Sequence, residues 1–245
     1  MLNRLDVNAD LGEGNAFDAV IMGCISSCNI ACGGHVGNSD TVREAILLAK
    51  AKGIRIGAHP SYPDADNFGR EKLEMALSNL EESLKAQIKL VTDELAKEAI
   101  PMHHIKPHGA LYNEASVDTE LAILIASLVK SEYPKAKLYA PFGSKLAEAA
   151  QAQGIEVCFE AFLDRRYHPD LTLVKRSEPE AVLSTWDEIS EQLSEFVFRQ
   201  RVRTSDGSWR AIKVDTLCLH GDHPQALDTA IRVNRWLKLH GVTLL

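Results

Sequence analysis

The sequence predicts an α/β fold: a distorted parallel barrel of about seven βα units, in a single domain spanning residues 1–245. Three observations carry that expectation. Short β-rich runs followed by longer stretches of helical periodicity recur along the chain. No Pro/Gly/Ser-rich linker or abrupt change of composition divides it. Polar residues gather after nearly every β-rich run, in "NADLGE", "NIACGGH", "GAHPSYPD", "KPHGALY", "EAFLDRRY" and "LHGD". An open parallel sheet is the competing architecture, and both would put ligands at the carboxyl ends of their strands.

Taken in order, the first strand is expected over Arg4 to Ala9 and the second within "CISSCNIACGG". "DTVREAILLAKAKG" reads as a helix with Asp40 as N-cap and Gly53 past its end, because Val42, Ala45, Ile46 and Ala49 share one face. "IRIGAHP" is the third strand, residues 71–99 a long helix, and "HHIKPHGALY" the fourth strand. The helix "VDTELAILIASLVK", the strand "KLYAPF", the helix "SKLAEAAQAQG" stopped at Gly154, and the strand "EVCFEAF" follow. The rhythm then slips through "LDRRYHPDLTLVKRSEPE" to a helix over residues 181–198 and an excursion, "RTSDGSWRAIKV", with a tight hairpin turn at Asp206-Gly207. "DTLCLHGD" is the last strand and "PQALDTAIRVNRWLKLHG" the closing helix.

Composition excludes several functions. A net charge of -7 without a basic block gives no footprint for nucleic acid. No apolar run approaches the roughly 20 residues of a membrane helix. Acids within the first fourteen residues argue against a secretory signal, so a cytoplasmic home is expected. Five cysteines are then expected as free thiols. Cys24, Cys28 and Cys32 invite an iron–sulfur reading, but on a strand they suit buried small apolar positions better. Neither a phosphate loop nor a G-x-S-x-G elbow is present.

The chemistry concentrates at the strand ends. Asp6, Asn8 and Asp10 alternate, so a strand aims all three to one face, with Glu13 in the following loop. Asp10 and Glu13 could instead cap loops. His35, His59, His108 and His220 each stand near the end of a different strand. Asp10 with His35, His59 and His220 could bind a divalent metal that activates water. Alternatively, without metal, a carboxylate serves as base and a histidine as acid. Lys106 and His108 alternate into the same cavity, and a cation there suits an anionic ligand, with Arg165 and Arg166 adding bidentate contacts. The alternative for Lys106 is to neutralise interior acids. Tyr112 reads either as a ligand contact or as an aromatic at a helix start.

The motifs "DVNADLGEG", "SCNIACGGHVGNSD", "GAHPSYPDADNFGR", "IKPHGALYN", "EAFLDRRYHPDLTLVKRSEPEAV" and "LCLHGDHPQAL", in that order, resemble the LamB/YcsF family, which supplies the A component of the prokaryotic ATP-dependent 5-oxoprolinase. The likeness covers nearly the whole chain. It implies a seven-stranded barrel of the glycoside hydrolase/deacetylase type. It also implies opening of 5-oxoproline to glutamate with hydrolysis of ATP, in an assembly with 5-oxoprolinase subunits B and C. In that scheme the partners phosphorylate the lactam with ATP, whose site among the subunits stays open, and the A component hydrolyses the activated intermediate. On this expectation Asp10, His59, His108 and Glu13 are catalytic, and Asn8, Lys106, Tyr112, Arg165 and Arg166 bind the substrate. Two other functions stay open: a non-catalytic scaffold within the complex and a stand-alone metal-dependent deacetylase. Ser61 and Gly34 depart from the family's usual glycine and phenylalanine.

Overall fold

The computed structural model describes residues 2–15, 17–219 and 226–245. In chain order the elements are β1 (Arg4–Leu11), α1 (Asp18–Ile21), β2 (Ser27–Ala31), α2 (Ser39–Lys52), β3 (Arg55–His59), α3 (Leu77–Lys97), β4 (His104–Ile105) and α4 (Gly109–Ala115). Then come α5 (Thr119–Glu132), β5 (Lys137–Pro141), α6 (Lys145–Ala152), β6 (Val157–Phe162), α7 (Trp186–Arg199), β7 (Arg201–Arg203), β8 (Trp209–Ala211), β9 (Thr216–Leu219), α8 (Ala226–Leu239) and β10 (Thr243–Leu244).

Strands β1 to β6 and β9 pair in parallel and close, because β9 bonds to β6 on one side and to β1 on the other. The result is a closed seven-stranded barrel rather than an open sheet. The short β10, which hydropathy does not announce, pairs with Arg4 and Leu5 at the amino end of β1. The Asp206-Gly207 turn joins β7 to β8 as an antiparallel pair outside the barrel. Among the described residues no helix is long and apolar enough to cross a membrane.

Local chemistry moves several boundaries. Asn38, not Asp40, caps α2, because its side chain accepts from the Asp40 and Thr41 amides while Thr41 reaches back to the Asn38 amide. Gly53 ends that helix in the left-handed conformation, as expected. The fourth strand is only two residues long: Pro107 carries no N–H for the ladder, and α4 begins at Gly109. Thr185 starts α7 with a reciprocal Thr185–Glu188 cap, later than residue 181.

Along each strand one face is apolar and the other polar. Leu5, Val7, Ala9 and Leu11 of β1, Ile30 of β2, Ile56 and Ala58 of β3, Leu138 and Ala140 of β5, and Leu217 and Leu219 of β9 belong to the buried apolar core, which also holds the inner faces of the helices. The polar faces fill the barrel in layers. In the lowest, Asp6 accepts from Ser26, Ser27, Tyr139 and Thr216 and pairs with Arg55 at 2.7 Å. Above it, the Asn8 amide donates to Glu160 at 2.9 Å and Thr216 at 2.8 Å. Asn29 donates to Asn8 at 2.8 Å and to Asp10 at 2.7 Å, leaving its carbonyl to accept from His104 Nε2 at 2.6 Å. Burial first, then the neighbouring His103, holds the His104 imidazole well below its ordinary pKa, so it fills the interior as a neutral donor.

His104 lies where β3 presents Gly57, and a Cβ added there would stand 2.3 Å from Nε2. Gly57→Ala is therefore expected to displace the imidazole, break its bond to Asn29 and destabilise the barrel by about 1–3 kcal/mol. An unchanged melting temperature would show that His104 moves aside freely.

Candidate active site

At the carboxyl mouth of the barrel the topmost polar layer meets three loops. Asp10 comes from the end of β1, His59 from the end of β3 and Lys106 from just past β4. His108 is the residue before α4, and its backbone N–H is bonded to the Pro60 carbonyl. His35 stands in the loop after β2 and Glu13 in the loop after β1. Asp10 and Lys106, 96 residues apart in sequence, come within hydrogen-bond distance because the parallel strands that carry these residues are in register.

Lys106 is 2% exposed, and its ammonium lies 2.9 Å from Asp10 Oδ1 and 2.9 Å from Glu160 Oε1. It also reaches Asn8 Oδ1 at 3.3 Å and Cys218 Sγ at 3.1 Å. Burial opposes this charge, but the carboxylates outweigh it and raise the lysine's pKa well above its ordinary value. The three ammonium protons are thus engaged by the barrel's interior. Of the two roles open for Lys106, neutralising interior acids is the one its geometry serves, and the anion-binding role has no free donor.

The imidazoles form a compact box. His35 and His108 stack with centroids 3.8 Å apart and planes within 4°, and His59 stands edge-on to both. Phe68 closes the side, edge-on to His35 and His108. The ring orientations are set from outside. His59 Nδ1 donates to the Lys106 carbonyl at 2.8 Å, and His108 Nε2 donates to the Phe68 carbonyl at 2.9 Å. Phe68 and Gly69 both have positive φ, 55° and 63°. At Gly69 a side chain would press on His35, Ser61 and His108 at 3.1 Å each, so glycine lets this loop close over the imidazoles.

Inside the box, His59 Nε2 stands 2.9 Å from His108 Nδ1 and 3.4 Å from Asp10 Oδ2. His35 Nε2 is 3.2 Å from Glu13 Oε1, which is also 3.8 Å from His108 Nδ1. Ser61 gives its hydroxyl proton to the Tyr62 carbonyl at 2.8 Å, so at 3.1 Å it accepts from His35 Nδ1. Across the His35–Glu13 contact the ring nitrogen faces the carboxylate. Burial, the largest influence, lowers the His35 pKa, and Glu13 opposes it.

The remaining expected residues divide. Asn8 lies within the barrel, bonded below the mouth, where it supports rather than faces a ligand. Tyr112 is buried beside Glu160, and burial followed by that charge raises its phenol well above the ordinary pKa. The Tyr112 hydroxyl faces the Glu160 carboxylate, and among the described residues Arg165 Nε lacks a hydrogen-bond partner. Arg165 is buried, with Nη2 donating to the Val174 carbonyl at 2.6 Å. Arg166 differs from Arg165: it bonds to the Glu180 carbonyl and Glu188. The cause is the two-residue period of extended chain, which turns Arg165 and Tyr167 inward and Arg166 outward. His220 falls outside the described residues. Glu160, Asn29 and Ser61 also belong with the site; the alternation in "VCFEAF" and "SCNIA" is the signal that places the first two inward.

The two departures from the family pattern are neighbours. A Cβ on Gly34 would stand 2.4 Å from both Ser61 Oγ and Gln87 Oε1. Gln87 in turn holds the Ser61 backbone by bonds to its amide and carbonyl, each 2.9 Å. The absent side chain at position 34 makes the room that Ser61 and Gln87 occupy, and Ser61 then orients His35.

The sequence model of the LamB/YcsF family matches residues 5–245. Proteins named as the A component of 5-oxoprolinase, from Neisseria meningitidis serogroup A and serogroup B, are each 40% identical to this chain over 241 residues, 98% of either sequence. The solved structure of the lactam utilization protein from Thermus thermophilus superimposes with a TM-score of 0.91 at 36% identity, covering 98% of each chain.

Proposed function

The chain belongs to the LamB/YcsF family, and from that premise we propose that it is the A component of an ATP-dependent 5-oxoprolinase, a lactam hydrolase that opens 5-oxoproline to glutamate. The observation that carries this reading is end-to-end similarity to proteins named for that component, at 40% identity over 98% of both sequences. Such a name implies companions, and the reading takes these as subunits B and C, in the cytoplasm, with ATP bound by them.

The chemistry needed of this chain is hydrolysis. Phosphorylating the lactam oxygen on the partner proteins makes the ring carbon electrophilic and supplies a leaving group; water must then attack and the ring nitrogen must gain a proton. Asp10 and His59 stand where the attacking water is activated, as base or as ligands of a metal, with Lys106 and Asn29 aiming the Asp10 carboxylate. The His35–Glu13 pair, beside His108, is assigned the delivery of the proton that the ring nitrogen gains. Arg165 Nε, together with the Tyr112 hydroxyl beside Glu160, is assigned to the substrate carboxylate.

Mixing this chain with subunits B and C, 5-oxoproline and ATP, and leaving out each in turn, tests the reading. Glutamate and phosphate are expected to form together only when all three proteins are present. Undiminished glutamate formation by B and C alone would reduce this chain to a scaffold. Release of acetate from acetylated sugars by this chain alone would replace the reading with a deacetylase.

A further inference from the structure

We propose that His59 Nε2, His108 Nδ1 and the Asp10 carboxylate form a binding site for one divalent first-row transition-metal ion at the mouth of the barrel. The proposal stands on the hydrogen bonds around these side chains, independently of the substrate.

A carbonyl oxygen can only accept. The contact of His59 with the Lys106 carbonyl therefore places a proton on His59 Nδ1, and the contact of His108 with the Phe68 carbonyl places one on His108 Nε2. In the neutral rings the remaining nitrogens, His59 Nε2 and His108 Nδ1, are then both lone pairs. They nevertheless approach to 2.9 Å, with Asp10 Oδ2 3.4 Å from the first. Three electron-pair donors thus converge on one point, their donor atoms all within 4.8 Å of one another. Mutual repulsion of this kind is relieved by a cation placed among them.

One feature favours a metal: each donor is oriented from behind in the way metal ligands are, both imidazoles through their other N–H to a backbone carbonyl, and Asp10 through Oδ1 to Lys106 at 2.9 Å and Asn29 at 2.7 Å. Two nitrogens about 2.0–2.1 Å from a tetrahedral zinc ion stand about 3.3 Å apart, so a small opening of the pair suffices. Two imidazoles and one carboxylate favour zinc, cobalt, iron or nickel over magnesium or calcium. The set differs from the one expected from sequence: His108 is a ligand, whereas His35 is stacked parallel to it, so its in-plane lone pair does not converge there, and it belongs to the Glu13 pair instead.

The test uses the full chain, stripped with a chelator and then dialysed against Zn2+ or Co2+. About one ion per chain is expected by elemental analysis, with ligand-field absorption of bound Co2+ in the visible and a melting temperature that rises with Zn2+ concentration. His108→Ala and His59→Ala are expected to weaken binding at least about tenfold, and His240→Gln, on the outer end of α8, to leave it unchanged. Should an alanine variant fail to fold, as judged by circular dichroism, His108→Asn replaces it, and the wild-type stoichiometry decides by itself. A wild-type chain that takes up no ion above background overturns the proposal and assigns the contact to a shared proton. Binding lost in His240→Gln but kept in the other variants also overturns it.

Discussion

Lys106→Met is expected to be the most damaging single substitution in the barrel. It leaves Asp10 and Glu160 as buried carboxylates without their counter-charge, in a layer where both are at most 7% exposed. Removing one partner of such a buried pair costs about 3–5 kcal/mol. For a chain of this length that lowers the melting temperature by about 6–20 °C. Turnover in the assembled enzyme should vanish as well, because Asp10 loses the cation that aims its carboxylate. Adding Glu160→Gln removes one of the two orphaned charges and should restore part of the stability. A melting temperature unchanged by Lys106→Met would mean that the ammonium is not the centre of the interior charge network.

The second large effect separates two acids on the same strand face. Asp10→Asn keeps the side chain's size and leaves Lys106 with Glu160, so the fold should survive while turnover falls by about 10²–10⁴-fold. Asp6→Asn should do the reverse. Asp6 lies in the lowest layer, where it serves Ser26, Ser27, Tyr139, Thr216 and Arg55, and its loss should lower stability with little change in the turnover of the folded fraction. Steady-state glutamate formation, normalised to folded protein by thermal denaturation, reads both. Equal loss of turnover in the two variants would take Asp10 out of the chemistry.

The contrast between Asp6 and Asp10 shows how far sequence reading reaches. Their spacing along the strand places both on the barrel's inner face, and nothing local says which is foundation and which is mouth. That is decided by the neighbours in register: Thr216 of β9 lies opposite Asp6, and Asn29 of β2 opposite Asp10. Arg165 and Arg166 make the same point. Adjacent arginines look interchangeable until the extended backbone alternates them, one into the protein and the other toward Glu188.

Periodicity and turn chemistry are local, so the chain alone specified the alternation of parallel strands and helices and the polar inner face. It also specified the collection of acids and histidines at one end, and the order of those motifs sufficed for the family. Tertiary structure alone decided that Lys106 bridges Asp10 to Glu160, that Ser61 fills the room left by Gly34, and that His59 and His108 aim bare lone pairs at each other. Those outcomes depend on barrel closure and on how each strand is shifted against the next. Residues 210 positions apart, as Asp6 and Thr216 are, become partners only when the last barrel strand returns to the first.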